Sequence, residues 1–141
     1  MNFASEIVSV GMCVPPGVVT NNDLTKIMET TDEWITQRSG IKERRWVAPE
    51  VTTSDLALKA AEEAIEKAGI KKEEIELIVF ATLSPDHDFP GTGVFLQEKL
   101  GLAGCASLDI RQACSGFLYG LSIADQFIKT GMYKTVLLVG A

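Results

Sequence analysis

One histidine, His87, is all the imidazole this chain has, and its cysteines number only three, at 13, 105 and 114. Three thiols with that spacing match neither a disulfide framework nor a zinc pattern, so no metal site is expected and a reducing compartment is. Basic side chains are also few: 13 Lys and Arg stand against 19 Asp and Glu, a net charge of −6. A chain of that sign lacks the basic face that neutralises phosphates, which argues against nucleic acid as a partner. No apolar run reaches the ~18 to 20 residues of a membrane span, and the start Met1–Glu6 lacks the basic region of a signal peptide. The expected setting is the cytoplasm, with no membrane partner.

What remains is a core-forming composition, 46% hydrophobic and 23% charged, in a length usual for one domain. Glu6–Met12 is rich in β-branched residues and closes at Val14-Pro15-Pro16-Gly17, which predicts a strand followed by a loop. Thr20 and Asp23 stand at capping-box spacing and predict a short helix from about Asn21. Thr30-Thr31-Asp32-Glu33 predicts a second, with Thr30 capping, Glu33 reaching back and Gly40 closing it. Trp34 and Arg38, four apart on that helix, would present an indole and a guanidinium on one side. Such a pair can stack on a nucleobase and hold a phosphate, or be a surface cation–π pair, or a core Trp beside a solvated Arg. The basic stretch Lys42, Arg44 and Arg45 either meets phosphates or an acidic partner, or is a solvated face.

Thr52-Thr53-Ser54-Asp55 caps a long helix whose inward face is Leu56, Ala57, Ala60, Ala61, Ala64, Ile65 and Ala68, with Gly69 past its end. Ile75–Ala81 reads as a buried strand, apolar at nearly every position. A turn-rich loop, Leu83–Gly91, carries His87, either a base for a nucleophile or a solvated side chain. A helix over Gly93–Leu100, a strand over Ser107–Ile110, a helix stopping at Thr130-Gly131 and a strand within Lys134–Ala141 complete the order. Strands alternating with helices predict an α/β fold with a mixed, largely parallel sheet covered by helices. A central-type strand at the terminus implies a natural protein that continues past Ala141.

Cys114 falls where the strand ending at Ile110 hands over to the helix in which Phe117, Leu121, Ala124 and Ile128 recur. Helix-start N–H groups and the macrodipole favour a thiolate there, the form that attacks a carbonyl carbon. Ser115 and Gly116 are small enough for close approach. The alternative is a buried cysteine acting as core filler.

Taken together, Thr30–Ile35 with Arg38–Ile41, the Phe89-Pro90 loop, Asp109-Ile110 leading to Ala113-Cys114-Ser115-Gly116-Phe117, and Val136–Gly140 resemble the β-ketoacyl-acyl carrier protein synthase III family, from about Glu6 to the last residue. The resemblance implies a thiolase-like fold of two similar α/β halves in five layers, with residues 1–141 as the N-terminal half and the C-terminal half absent. It implies an acyltransferase of fatty acid biosynthesis that performs a decarboxylating Claisen condensation of an acyl-coenzyme A primer with malonyl-acyl carrier protein. Cys114 would be the acylated nucleophile. Trp34 would stack on the adenine of coenzyme A, Arg38 would contact its phosphates, and Thr30 would lie beside the adenine. Phe89 would line the partner's acyl pocket across a homodimer interface. Coenzyme A enters as substrate, with no cofactor.

The family's catalytic histidine and asparagine belong to the other half, and His87 does not match that histidine. Arg111-Gln112 stand where family members carry small residues, and Ser115 where alanine is usual. The alternatives within the superfamily are a hydroxymethylglutaryl-coenzyme A synthase or a polyketide or quinolone starter synthase. Outside catalysis stand a non-catalytic partner subunit and a coenzyme-A-binding module.

Overall fold

The computed structural model describes residues 4–141, so part of the Met1–Glu6 leader reading lies outside the described residues. Two compact units form, Val14–Val51 and a larger one made of the segment up to Cys13 with Thr52–Ala141.

In Val14–Val51, strand β1 (Gly17–Thr20) pairs antiparallel with β2 (Glu43–Trp46), Val18 opposite Arg45. Helix α1 (Asn21–Leu24) begins on the expected box: Thr20 Oγ1 accepts the Asp23 N–H and the Asp23 carboxylate accepts the Thr20 N–H. The cap of α2 (Asp32–Ser39) corrects the sequence reading by one residue. Thr31, with extended backbone, accepts the Trp34 N–H at 3.0 Å, and Glu33 does not close a box. Gly40 ends α2 at φ 72°, as expected.

Asn21, almost fully buried, is the hub of this unit. Its amide donates to Asp32 Oδ1 at 2.7 Å and the Ile41 carbonyl at 2.8 Å, and its Oδ1 accepts from Arg44 Nη2 at 2.7 Å. Arg45 in turn bonds Glu43 and the Pro15 carbonyl. Both guanidinium groups of the basic stretch are therefore engaged within the unit.

The larger unit holds α3 (Thr53–Ala68), β3 (Leu77–Ala81), α4 (Thr92–Leu100), β4 (Ala106–Ile110), α5 (Gly116–Lys129) and β5 (Val136–Gly140). The three strands form a parallel sheet in the order β4-β3-β5, with Phe80 level with Asp109 and Val139. β3 is central and every residue of it is buried, as its continuous apolar run predicts. Ile78, Phe80 and Val139 face Ala57, Ala61, Leu96 and Leu100 of α3 and α4. Burial of side chains such as Ile78 and Phe80 contributes about 1.5–3 kcal/mol each. β5, which reads as a central strand, lies at an edge of the sheet among the described residues.

One prediction fails here, for a physical reason. Glu6–Met12 is not a strand. A strand needs a ladder partner, and this segment is instead bonded to α3: Ser9 Oγ donates to the Ala64 carbonyl at 2.7 Å and the Met12 N–H to Glu63 Oε2 at 2.7 Å. On α5 the buried stripe is Gly116, Gly120 and Ala124, while Phe117 and Leu121 stay exposed. The smallest side chains lie inward because the helix sits close to the sheet: a Cβ at Gly120 would come 2.5 Å from Leu138 Cδ1.

Candidate functional site

β4 ends at Ile110 and the chain turns through Arg111 and Gln112 into a single 3₁₀ turn, Ala113–Ser115, which runs straight into α5. Ala113 holds φ at +45°, the only positive φ outside glycine among the described residues. Left-handed backbone at a non-glycine residue costs about 1–3 kcal/mol, and such residues cluster at functional sites. The turn is braced by Ser115 Oγ donating to the Gln112 carbonyl at 3.0 Å and by the Gly116 N–H donating to the Ala113 carbonyl. Cys114 is exposed at its centre, at the junction the sequence predicts, and is not core filler.

Cys114 lines an open depression of about 580 Å³ with Ala81 and Thr82 at the end of β3, Leu83 and Ser84 of the following loop, Phe117, and Gly140 at the end of β5. This is the crevice beyond the carboxyl ends of parallel strands, where α/β sheets bind ligands. Thr82 and Ser84 were not singled out in the sequence. Their only signal is a run of hydroxyls, Thr82-Leu83-Ser84, following an apolar strand. The Thr82 N–H donates to the Ile110 carbonyl at 3.2 Å and the Ser84 N–H to Thr82 Oγ1 at 3.0 Å, which ties this wall to the strand end that leads into the Cys114 turn.

His87 is exposed, packs its ring 5.0 Å from that of Phe95 on α4, and is not among the residues lining the depression. The solvated alternative therefore stands over the base. Phe89 is 91% exposed, on a loop closed by a cis Phe89–Pro90 bond. Cys105 is buried, and burial pushes its thiol up, away from reactivity.

Thr30, Trp34 and Arg38 lie in the Val14–Val51 unit. The Arg38 guanidinium sits 4.7 Å from the centroid of the Trp34 indole, which is half exposed. The Thr30 hydroxyl is buried without a hydrogen-bond partner. A stacked, exposed indole beside a cation has the components for holding an aromatic ring that carries anionic groups.

Residues 108–141 match the family model described as 3-Oxoacyl-[acyl-carrier-protein (ACP)] synthase III. The chain is 52% identical over 137 residues to the β-ketoacyl-acyl-carrier-protein synthase III of Xanthomonas euvesicatoria, covering 97% of this chain and 42% of the relative. It is 49% identical over 139 residues to the enzyme of the same name from Caldanaerobacter subterraneus, covering 99% and 42%. The crystal structure of 3-oxoacyl-acyl-carrier-protein synthase III from Aquifex aeolicus superposes with a TM-score of 0.93 at 48% identity, over 96% of this chain and 44% of that one. The priming β-ketosynthase of a polyketide biosynthetic pathway gives 0.94 at 32% identity, over 99% and 42%. The chain therefore spans less than half the length of the relatives it matches. The fold is the thiolase-like α/β fold expected, and the chain belongs to the 3-oxoacyl-acyl-carrier-protein synthase III family.

Proposed function

We propose that residues 1–141 are the N-terminal, nucleophile-bearing half of a β-ketoacyl-acyl-carrier-protein synthase III. Cys114 is the acyl acceptor. Its thiol gives up a proton, the thiolate attacks the carbonyl carbon of an acyl-coenzyme A primer, the C–S bond to coenzyme A breaks, and the departing coenzyme A thiolate takes up that proton. Malonyl-acyl carrier protein then loses CO₂, and its carbanion attacks the acyl carbon on Cys114. A C–C bond forms, the thiolate departs, and 3-oxoacyl-acyl carrier protein is released.

Thr30, Trp34 and Arg38 bind the adenine and phosphates of coenzyme A. Phe89 lines the acyl pocket of a homodimer partner, which its free side chain permits. Coenzyme A is substrate, no cofactor or metal takes part, and the enzyme works in the cytoplasm without nucleic acid or membrane. The observation that carries this reading is Cys114, exposed on a strained turn at the head of α5 and lining the depression at the strand ends.

Residues 1–141 hold one arm of the chemistry, and the histidine and asparagine of the oxyanion hole belong to the other half. Loss of one such donor costs on the order of a hundred- to a thousandfold. The chain by itself is expected to show no measurable turnover with acetyl-coenzyme A and malonyl-acyl carrier protein. Supplied with a completing C-terminal half, it is expected to gain one acyl group, found by intact mass and placed on Cys114 by peptide mapping. An adduct elsewhere, or none, overturns the reading. The similarity to a polyketide priming ketosynthase favours a second reading, a starter synthase using the same cysteine, and product analysis with different primers separates the two.

A further inference from the structure

Next to the Leu83–Ser84 wall of the Cys114 depression lies a polar relay, buried at Ser54 and Thr92, with no part in the chemistry above. Ser54, on the first turn of α3, is fully buried. Its Oγ accepts a hydrogen bond from Lys99 Nζ of α4 at 2.6 Å and donates one to Asp86 Oδ2, and its N–H donates to Asp86 Oδ1 at 3.0 Å. The Asp86 N–H donates to the buried hydroxyl of Thr92 at 3.1 Å. Thr53 Oγ1 holds the Ser84 carbonyl at 2.6 Å.

Capping does not explain this arrangement. α3 already has a complete box from Thr52 and Asp55, so the Asp86 carboxylate is a second, non-local acceptor at the same helix start. Its bonds tie the loop to the helix, not the helix to itself. Ser54 and Thr92 are buried while Asp86 is partly buried, so breaking the bonds that Asp86 makes to them strands desolvated groups, and that makes the junction rigid. The loop residues next to Cys114 are thus anchored to the starts of both α3 and α4.

We infer that Asp86 is a positioning residue, and that the Lys99–Ser54–Asp86 relay fixes the Leu83–Ser84 wall and so sets which acyl chains the Cys114 depression admits. This rests on Cys114 being the acyl acceptor. Asp86→Asn keeps the shape and replaces one carboxylate acceptor with a donor. In the 141-residue chain, its backbone amides at residues 83, 84 and 86–88 are expected to exchange with solvent roughly tenfold faster, with β3 and α5 unchanged. With the completing half, the ratio of Cys114 acylation rates for acetyl- and octanoyl-coenzyme A is expected to shift by roughly fivefold. Alkylation of Cys114 by iodoacetamide should stay near the wild-type rate.

Unchanged exchange or an unchanged ratio overturns the proposal. A parallel fall in alkylation and in both acylations also overturns it, since that marks a general scaffold defect. Thr53→Val, which removes only the Ser84 tether, carries the same expectations if Asp86→Asn does not fold. Absence of any acyl adduct on the wild type sinks the acyl-acceptor reading, while the exchange measurement still decides whether the relay holds the loop.

Discussion

Ala113 and Cys114 are adjacent yet do different work. Ala113 absorbs the left-handed backbone, φ +45°, that lets β4 turn directly into α5, and Cys114 takes the exposed position this creates. A β-branched side chain tolerates that backbone least. Ala113→Val is expected to destabilise by about 1–3 kcal/mol, whereas Ala113→Gly should fall within about 1 kcal/mol of wild type, both read from urea unfolding. Cys114→Ser should remove the fast iodoacetamide adduct without moving the unfolding midpoint, because the side chain is exposed. At Trp34, where the indole is already stacked on Arg38, substitution by Ala should weaken coenzyme A binding roughly 5- to 150-fold in a fluorescence-free assay such as calorimetry. Equal affinity for both forms would place coenzyme A elsewhere.

Helix α3 shows how one element is stabilised from several sides. Thr52 and Asp55 form its box, and Lys99 Nζ reaches Asp55 Oδ1 at 2.6 Å. The Lys99 ammonium, with the Thr52 N–H and hydroxyl, holds the Asp55 carboxyl well below the usual carboxylate range. A carboxyl whose folded pKa is depressed stabilises the fold above its unfolded value near 4, and that contribution is lost as pH falls further. Lys99→Met should therefore flatten the acid limb of a stability-against-pH curve below about pH 4, with little change in its slope at neutral pH. A limb of unaltered steepness would show that Asp55 does not carry it. Where the N-terminal segment crosses α3, a Cβ at Gly11 would lie 2.0 Å from the Ala60 carbonyl oxygen. The backbone there cannot step aside cheaply, so Gly11→Ala is expected to cost about 1–3 kcal/mol by thermal unfolding.

Across the larger unit, apolar side chains are left in water. Phe117, Leu118 and Tyr119 of α5 are exposed, as are Ile7, Val8, Val10 and Met12 of the extended segment. Exposed apolar side chains in such numbers favour association with other surfaces. The isolated chain is expected to bind an apolar dye and to sediment above its monomer mass, and Leu118→Glu should reduce both. A monodisperse monomer that ignores the dye would show that these side chains are covered in solution.

Local chemistry was legible in the residues themselves. The continuous apolar run of β3, the capping boxes at Thr20 and Thr52, the αL glycines at 40 and 69, and the turn that carries Cys114 all follow from propensity and hydrogen bonding within a few residues. What only the tertiary structure decided depends on partners far along the chain. Glu6–Met12 has the composition of a strand but is bonded to a carbonyl and a carboxylate of helix α3, and a strand exists only where a second strand lies beside it. α5 buries Gly116, Gly120 and Ala124 because the sheet comes too close for anything larger, a distance no helical periodicity encodes. Ser54 and Asp86 lie 32 residues apart, and only folding brings the buried hydroxyl to the loop beside the cysteine.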